Sequence, residues 1–202
     1  MTPVPPKARA PKAKPRAAKG APRYQAFYDQ VPHLFEASKP AWEKGYNELI
    51  YRMERPLTKQ NVRDVLAWVG GKAPALDGVA VAQLNEVLLR IRWPDVRRLA
   101  RLRALGLSLP QATALQHFHN PSFPPFTAEA VAGYAQVAKR VRRPEALTLD
   151  NLRAYRRWMD ALVELKEGIP FRDVPESHYF HVWVLECALA EAARAGNGHR
   201  KR

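Results

Sequence analysis

Six arginines crowd one short stretch of this chain, RIRWPDVRRLARLRALGLSLPQATALQHF from Arg90 to Phe118, and a glycine sits in its middle. Arg90, Arg92, Arg97, Arg98, Arg101 and Arg103 carry planar guanidinium forks that match phosphate oxygens. Gly106 tolerates the left-handed backbone that closes a helix. Ser108 has the hydroxyl, and Gln111 the amide, of a capping box that opens the next one. With only Leu107 between, the two helices form a tight hairpin, and the free amides at the second helix's start attract an anion such as a DNA phosphate. On a helical wheel from Val96, the apolar arc runs through Leu102, Leu99, Val96 and Ala100. Arg97 and Arg101 lie opposite it as phosphate contacts. Arg103 falls inside the arc, as a structural ion-pair partner, and Arg98 is at its margin. A solvated charged face without a ligand has the same pattern.

Other basic clusters add to this. Lys139, Arg140, Arg142 and Arg143 close a helix, where cations also favour the helix dipole. Lys139, Arg140 and Arg143 are further candidate phosphate contacts. Arg153, Arg156 and Arg157 flank Trp158, with Arg156 projecting toward the apolar side. Residues 1–23 contribute Lys7, Arg9, Lys12, Lys14, Arg16, Lys19 and Arg23 without a single acid. Small-molecule chemistry has less to stand on. His178 and His181 are three apart, near Glu176, but lack a third well-spaced ligand, so they read as structural. His117 and His119 point to different sides of a helix. Gly70-Gly71-Lys72-Ala73 lacks the spacing and hydroxyl of a phosphate loop and reads as a helix-ending turn. No nucleophile motif or defensible carboxylate pair emerges, so no catalytic residue, metal or cofactor is assigned.

The elements that position these groups are helices. Tyr24, Phe27, Tyr28, Val31 and Phe35 keep helical spacing, with Pro32 as a kink or break. Pro40 opens a second segment and Thr58 caps a third, which stops at Gly70-Gly71. Val81, Leu84, Leu88 and Ile91 mark a fourth. Pro94 opens a fifth, ending at Gly106, and Ser108, Thr127 and Thr148 cap the next three. Asp173 and Glu176 have capping-box spacing before a last helix running toward Gly196. The expected fold is all-α: a single compact domain of about eight or nine helices over residues 24–195. A disordered basic Pro/Ala/Lys arm (1–23) precedes it and a basic tail (196–202) follows.

The segment Leu102 to Leu115 resembles the helix-hairpin-helix motif of DNA glycosylases and related repair proteins. Gly106-Leu107-Ser108 stands for its Gly-hydrophobic-Gly turn, and Ala112-Thr113-Ala114 follows on the second helix. Two departures matter: serine replaces the second glycine, and Phe123-Pro124-Pro125-Phe126-Thr127 offers Thr127 where the family's catalytic Asp would stand. No counterpart of the lysine nucleophile is evident. Downstream helices keep a similar order over residues 58–190. The resemblance implies a degenerate, non-catalytic DNA-binding relative. An ordinary helical hairpin with a capping box explains the same residues.

Net charge is +14 over 202 residues, half of it in residues 1–23 and three more at Arg200, Lys201 and Arg202, which leaves +4 for the rest. Such a chain favours polyanions. The lone Cys187, in an apolar helical run, reads as a small buried hydrophobe and excludes an internal disulfide. No apolar run reaches membrane-spanning length, and no secretory leader is expected. The expectation is therefore a non-enzymatic nucleic-acid-binding protein, DNA favoured over RNA, without membrane contact or cofactor. It would be cytoplasmic, or nucleoid or nuclear when bound to DNA. The rivals are a glycosylase-like repair enzyme and a helical protein-interaction module that meets an acidic partner or ribosomal RNA.

Overall fold

Short polar side chains open several of the helices and fix their order. The computed structural model describes residues 24–72, 74–90, 95–139, 147, 149–167 and 178–198, with side chains 39–44, 95, 139, 167, 178–183 and 196–198 outside the description. The basic arm, Pro94, Thr148 and the Asp173–Glu176 box fall outside the described residues. So do the basic tail beyond Gly198 and the side chains of His178 and His181. The chain is all-α, with ten α-helices and no strand among the described residues.

In chain order these are α1 (Gln25–Tyr28), α2 (Val31–Trp42), α3 (Glu48–Arg52), α4 (Lys59–Val69), α5 (Gly78–Leu89), α6 (Asp95–Ala104), α7 (Leu109–His119), α8 (Ala128–Lys139), α9 (Leu152–Glu167) and α10 (His178–Gly198). A π-helical turn, Glu43–Asn47, joins α2 to α3. The early segments divide differently from the sequence expectation. The break falls at Asp29–Gln30, and Pro32 stands in the first turn of α2, where its missing N–H is not needed. Pro40 does not open a helix; it lies in the last turn of α2, just before the π turn.

Thr58 and Asn61 cap α4 in a reciprocal box, and Ser108 and Gln111 do the same for α7. Asp77 caps α5, accepting from the Ala80 amide at 2.8 Å. Thr127 caps α8, taking the Ala130 amide at 3.3 Å. The start of α9 corrects the expectation: Asn151 accepts the Arg153 amide at 2.9 Å, so the helix begins after Asn151. Gly70 ends α4 with φ 79°.

The centre of the molecule is α7. Leu109 and every residue from Gln111 to Phe118 are buried, so the helix is enclosed all round, with α4 and α6 among its neighbours. A second layer pairs α8 with α10, and α2 covers α10. Gly133 permits that pairing, since a Cβ there would overlap the Leu189 carbonyl of α10. The loop after α7 is pinned to α9. Trp158 Nε1–H donates to the Pro125 carbonyl at 3.2 Å, and the Tyr155 hydroxyl to that of Pro124 at 3.1 Å. The Phe126 amide donates to Thr113 Oγ1 at 3.0 Å. These bonds deliver Thr127 to a fixed place between the two layers.

Candidate functional site

Arg97 and Arg101 are exposed on α6, as their wheel positions require. The buried stripe of that helix is centred elsewhere than expected. Leu99 and Leu102 are fully buried, but Val96 and Ala100 are exposed, and Arg98 takes the inward position at 3% exposure. Its guanidinium lies 4.5 Å from the centre of the Phe123 ring. Arg98 is therefore a packing group, held by cation–π attraction in a place water barely reaches. The inward set 98, 99 and 102 is the i, i+1, i+4 face on which α6 meets α7.

Arg103 is exposed instead of facing the core. Its Nη1 donates to the Asp150 carbonyl at 2.7 Å, so it is structural through a backbone oxygen, with no carboxylate involved. That bond ties the end of α6 to the approach to α9. Arg153, Arg156 and Arg157 are exposed on α9. Arg156 faces solvent, not the apolar side, and lies 3.6 Å from Asp160. The helices α6 and α9 pack on one another, and each carries exposed arginines.

The Gly106 turn has the left-handed backbone that was expected, with φ 87°. Its amides are less available than the sequence suggests. Pro110 has no N–H, the Gln111 amide donates to Ser108 Oγ at 3.4 Å, and the Ser108 amide donates to Gln111 Oε1 at 2.9 Å. Gln111 Nε2 also donates to the Lys72 carbonyl at 3.2 Å, joining the turn to the loop after α4. The side chain of Leu107 is buried, leaving Gly106 and Ser108 exposed. The capping box that defines the turn thus occupies donors that an anion would need. Lys139, Arg140 and Arg143, like Lys7, Arg9, Lys12, Lys14, Arg16, Lys19 and Arg23, lie outside the described side chains.

A cavity of about 450 Å³ opens beside this turn, between the α4 end and the α8–α10 pair. Ser108 and Thr127 line it, with Trp68 and Leu149 as apolar wall and Glu186 on the α10 side. Thr127 occupies the place where the glycosylase resemblance puts a carboxylate, and its hydroxyl donates to Glu186 Oε1 at 3.1 Å. A carboxyl does reach this spot, but from α10. Glu186 is 3% exposed and its Oε2 has no hydrogen-bond partner. Burial, reinforced by the Glu129 charge and opposed by the Thr127 hydrogen bond, raises its pKa well above the carboxylate range. Burial thus disfavours the charged form of Glu186.

No family model, curated protein or solved structure matches this chain.

Behind the cavity, His117 is fully buried. Its Nδ1 lies 2.7 Å from the Phe123 carbonyl, which can only accept, so Nδ1 carries the proton. Nε2 then accepts from the Tyr46 hydroxyl at 2.9 Å. Burial pulls the imidazole down to about 4, against the opposing effect of the Phe123 bond. Tyr46 is pushed up by burial and by Glu186. Among the described residues, no group of three metal-ligating side chains forms. No described helix is long and apolar enough to cross a membrane.

Glu186 was not among the expected site residues, and Arg98 was expected only at the margin of the apolar arc. Glu186 had a signal: it is the one acid in the apolar run VWVLECALA, at a helical position that must face inward.

Proposed function

We propose that this protein binds nucleic acid without acting on it, docking through the arginine face of α6 and α9. The observation that carries this reading is the exposure of Arg97 and Arg101 on α6 and of Arg153 and Arg157 on α9, two helices that pack together. Rigid helices hold these forks in fixed relation to one another, and a phosphate backbone presents its charges at regular spacing. Arg103 contributes by tying the end of α6 to the approach to α9. The seven cations of residues 1–23 add affinity by releasing counterions, without choosing a sequence. Duplex DNA is the favoured form, because the hairpin resemblance is to DNA-binding proteins. The occupied amides of the α7 start shift the weight of recognition from the turn to the arginines beside it.

The test is binding to duplex DNA, single-stranded DNA and RNA over a salt series. The whole chain is compared with one beginning at Tyr24 and with Arg97→Ala/Arg101→Ala. Removing the arm lowers affinity and salt slope for all three nucleic acids alike. The double substitution lowers affinity further and reduces the slope by about two, roughly one per lost phosphate contact. Absence of salt-dependent binding by the whole chain overturns the reading. An abasic product from damaged-base duplexes replaces it with the repair-enzyme alternative.

A further inference from the structure

We infer that Tyr51 is a stacking platform for an unpaired nucleic-acid base, with Arg52 and Arg55 taking the phosphates beside it. The inference rests on the nucleic-acid reading above and deepens it: besides duplex, the partner includes a single-stranded segment.

The ring is presented without cover. Tyr51, in α3, is 87% exposed, so little packs on either face of its phenol. Aromatic side chains ordinarily bury most of their large surface, as Tyr24, Tyr28, Tyr46 and Tyr155 do here. Two asparagines fix the backbone that follows. From α4, Asn61 Nδ2 donates to the Arg52 carbonyl at 3.1 Å, and its Oδ1 accepts the Glu54 and Thr58 amides, each at 3.1 Å. From α5, Asn85 accepts the Leu57 amide and donates to the Leu57 carbonyl, both at 2.8 Å. Arg52, Glu54, Arg55 and Pro56 are exposed on this clamped segment. A surface fixed before binding has less freedom to lose when a strand docks.

Charge selects a polyanion. Arg52, Arg55, Lys59 and Arg63 are exposed between residues 51 and 63, against one acid, Glu54. Arg52 also lies 4.0 Å from Glu48, with both side chains well exposed, a pair that water screens and a phosphate can displace. Among the described residues Arg55 has no ion-pair partner. Its charge reaches His119 of α7, whose imidazole is held below its ordinary value by burial and then by Arg55 and Arg98. Stacking requires only a π-face, which every base has, but a base inside a duplex keeps its faces covered by its neighbours. An unpaired base is therefore the matching group. A protein partner fits less well, because a protein contact has an apolar centre wider than one ring. The other large exposed apolar side chains, Val79, Leu89, Val96 and Val163, lie on α5, α6 and α9, none on α3 or α4 among the described residues.

Fluorescence anisotropy of a labelled oligothymidylate and of a labelled blunt duplex reads the two modes, with the full chain throughout. Tyr51→Ala is expected to weaken single-strand binding about tenfold and to leave the blunt duplex within about twofold. Tyr51→Phe keeps the π-face and stays within about twofold on both. Neither substitution changes the salt slope, because no charge is lost, whereas Arg52→Ala/Arg55→Ala lowers the single-strand slope by about 1.4. An aminopurine placed within the oligothymidylate is quenched on binding the parent and much less on binding Tyr51→Ala. With the parent still binding in a salt-dependent way, three results each overturn the inference alone: undiminished single-strand binding by Tyr51→Ala, equal losses on strand and duplex, or Tyr51→Phe failing as Tyr51→Ala does. Loss of self-association in Tyr51→Ala, seen by sedimentation with strand binding intact, gives the ring to a protein contact instead. A parent that binds neither nucleic acid overturns both this inference and the reading beneath it.

Discussion

The outer face of α6 and α9 and the interior around α7 and α10 use ionisable side chains in opposite ways. Outside, Arg97, Arg101 and Arg153 stand in water, where each charge is cheap to keep and weak alone. Their effect comes from summation along a polyanion. Inside, burial disfavours the charged forms of His117 and Glu186, which meet the Phe123 carbonyl and the hydroxyls of Tyr46 and Thr127. Arg98 lies between the regimes, a cation inside that rests on an aromatic face. The lesson is that dielectric surroundings set the role of such a group more than its chemical type does. The outer face should therefore respond to salt and the interior to pH.

The largest expected effect breaks the interior wall. Gly133→Ala forces a methyl into the Leu189 carbonyl and separates α8 from α10. We expect a loss of more than about 4 kcal/mol in urea unfolding, with the cavity destroyed. A wild-type midpoint in that variant would mean the two helices do not meet as described.

Acid comes next. The unfolded chain protonates His117 near the ordinary value of 6.5, and the folded chain only at about 4. Stability from this group is complete above 6.5 and is lost as pH falls toward 4, a change of about 3 kcal/mol. The difference between parent and His117→Gln, followed by urea unfolding from pH 7 to 4, isolates it. Glu186 acts with the reverse sign: folded protein keeps its proton while the unfolded chain gives it up, so neutral pH costs stability. The melting temperature of Glu186→Gln relative to parent should rise between acid and neutral pH.

The outer face gives a smaller free-energy change of a different kind. Arg97→Ala/Arg101→Ala should weaken duplex binding by about 2 kcal/mol at low salt and by less as salt rises. Unfolding should stay within about 0.5 kcal/mol of the parent, since exposed charges contribute little to folding. Smallest is Ser108→Ala, which removes the α7 cap and should cost about 1 kcal/mol of stability while leaving duplex affinity unchanged. A drop in affinity there would return the Gly106 turn to the interface.

Much of this fold is legible without coordinates. The capping boxes at Thr58 and Ser108, the Gly70 and Gly106 stops and the Thr127 cap follow from local chemistry, because a cap is satisfied within three residues. The outward placement of Arg97 and Arg101 follows from helical periodicity. The inward rotation of Arg98 does not, since it depends on Phe123 arriving from the loop after α7. Asn151 rather than Thr148 opens α9, a choice between two equally suitable caps that sequence alone leaves open.

The sequence by itself determined an all-α chain, its helix boundaries at most capped ends, and a charge that favours polyanions. These depend on propensity, periodicity and composition, which act over a few residues. Only the tertiary structure decided that α7 is enclosed on every side and that its starting amides are largely spoken for. It also decided that Thr127 of α8 meets Glu186 of α10, 59 positions along the chain. The physical reason is that burial and the pairing of polar groups are properties of packed neighbours. Burial disfavours the charge on Glu186 only because distant helices close around it.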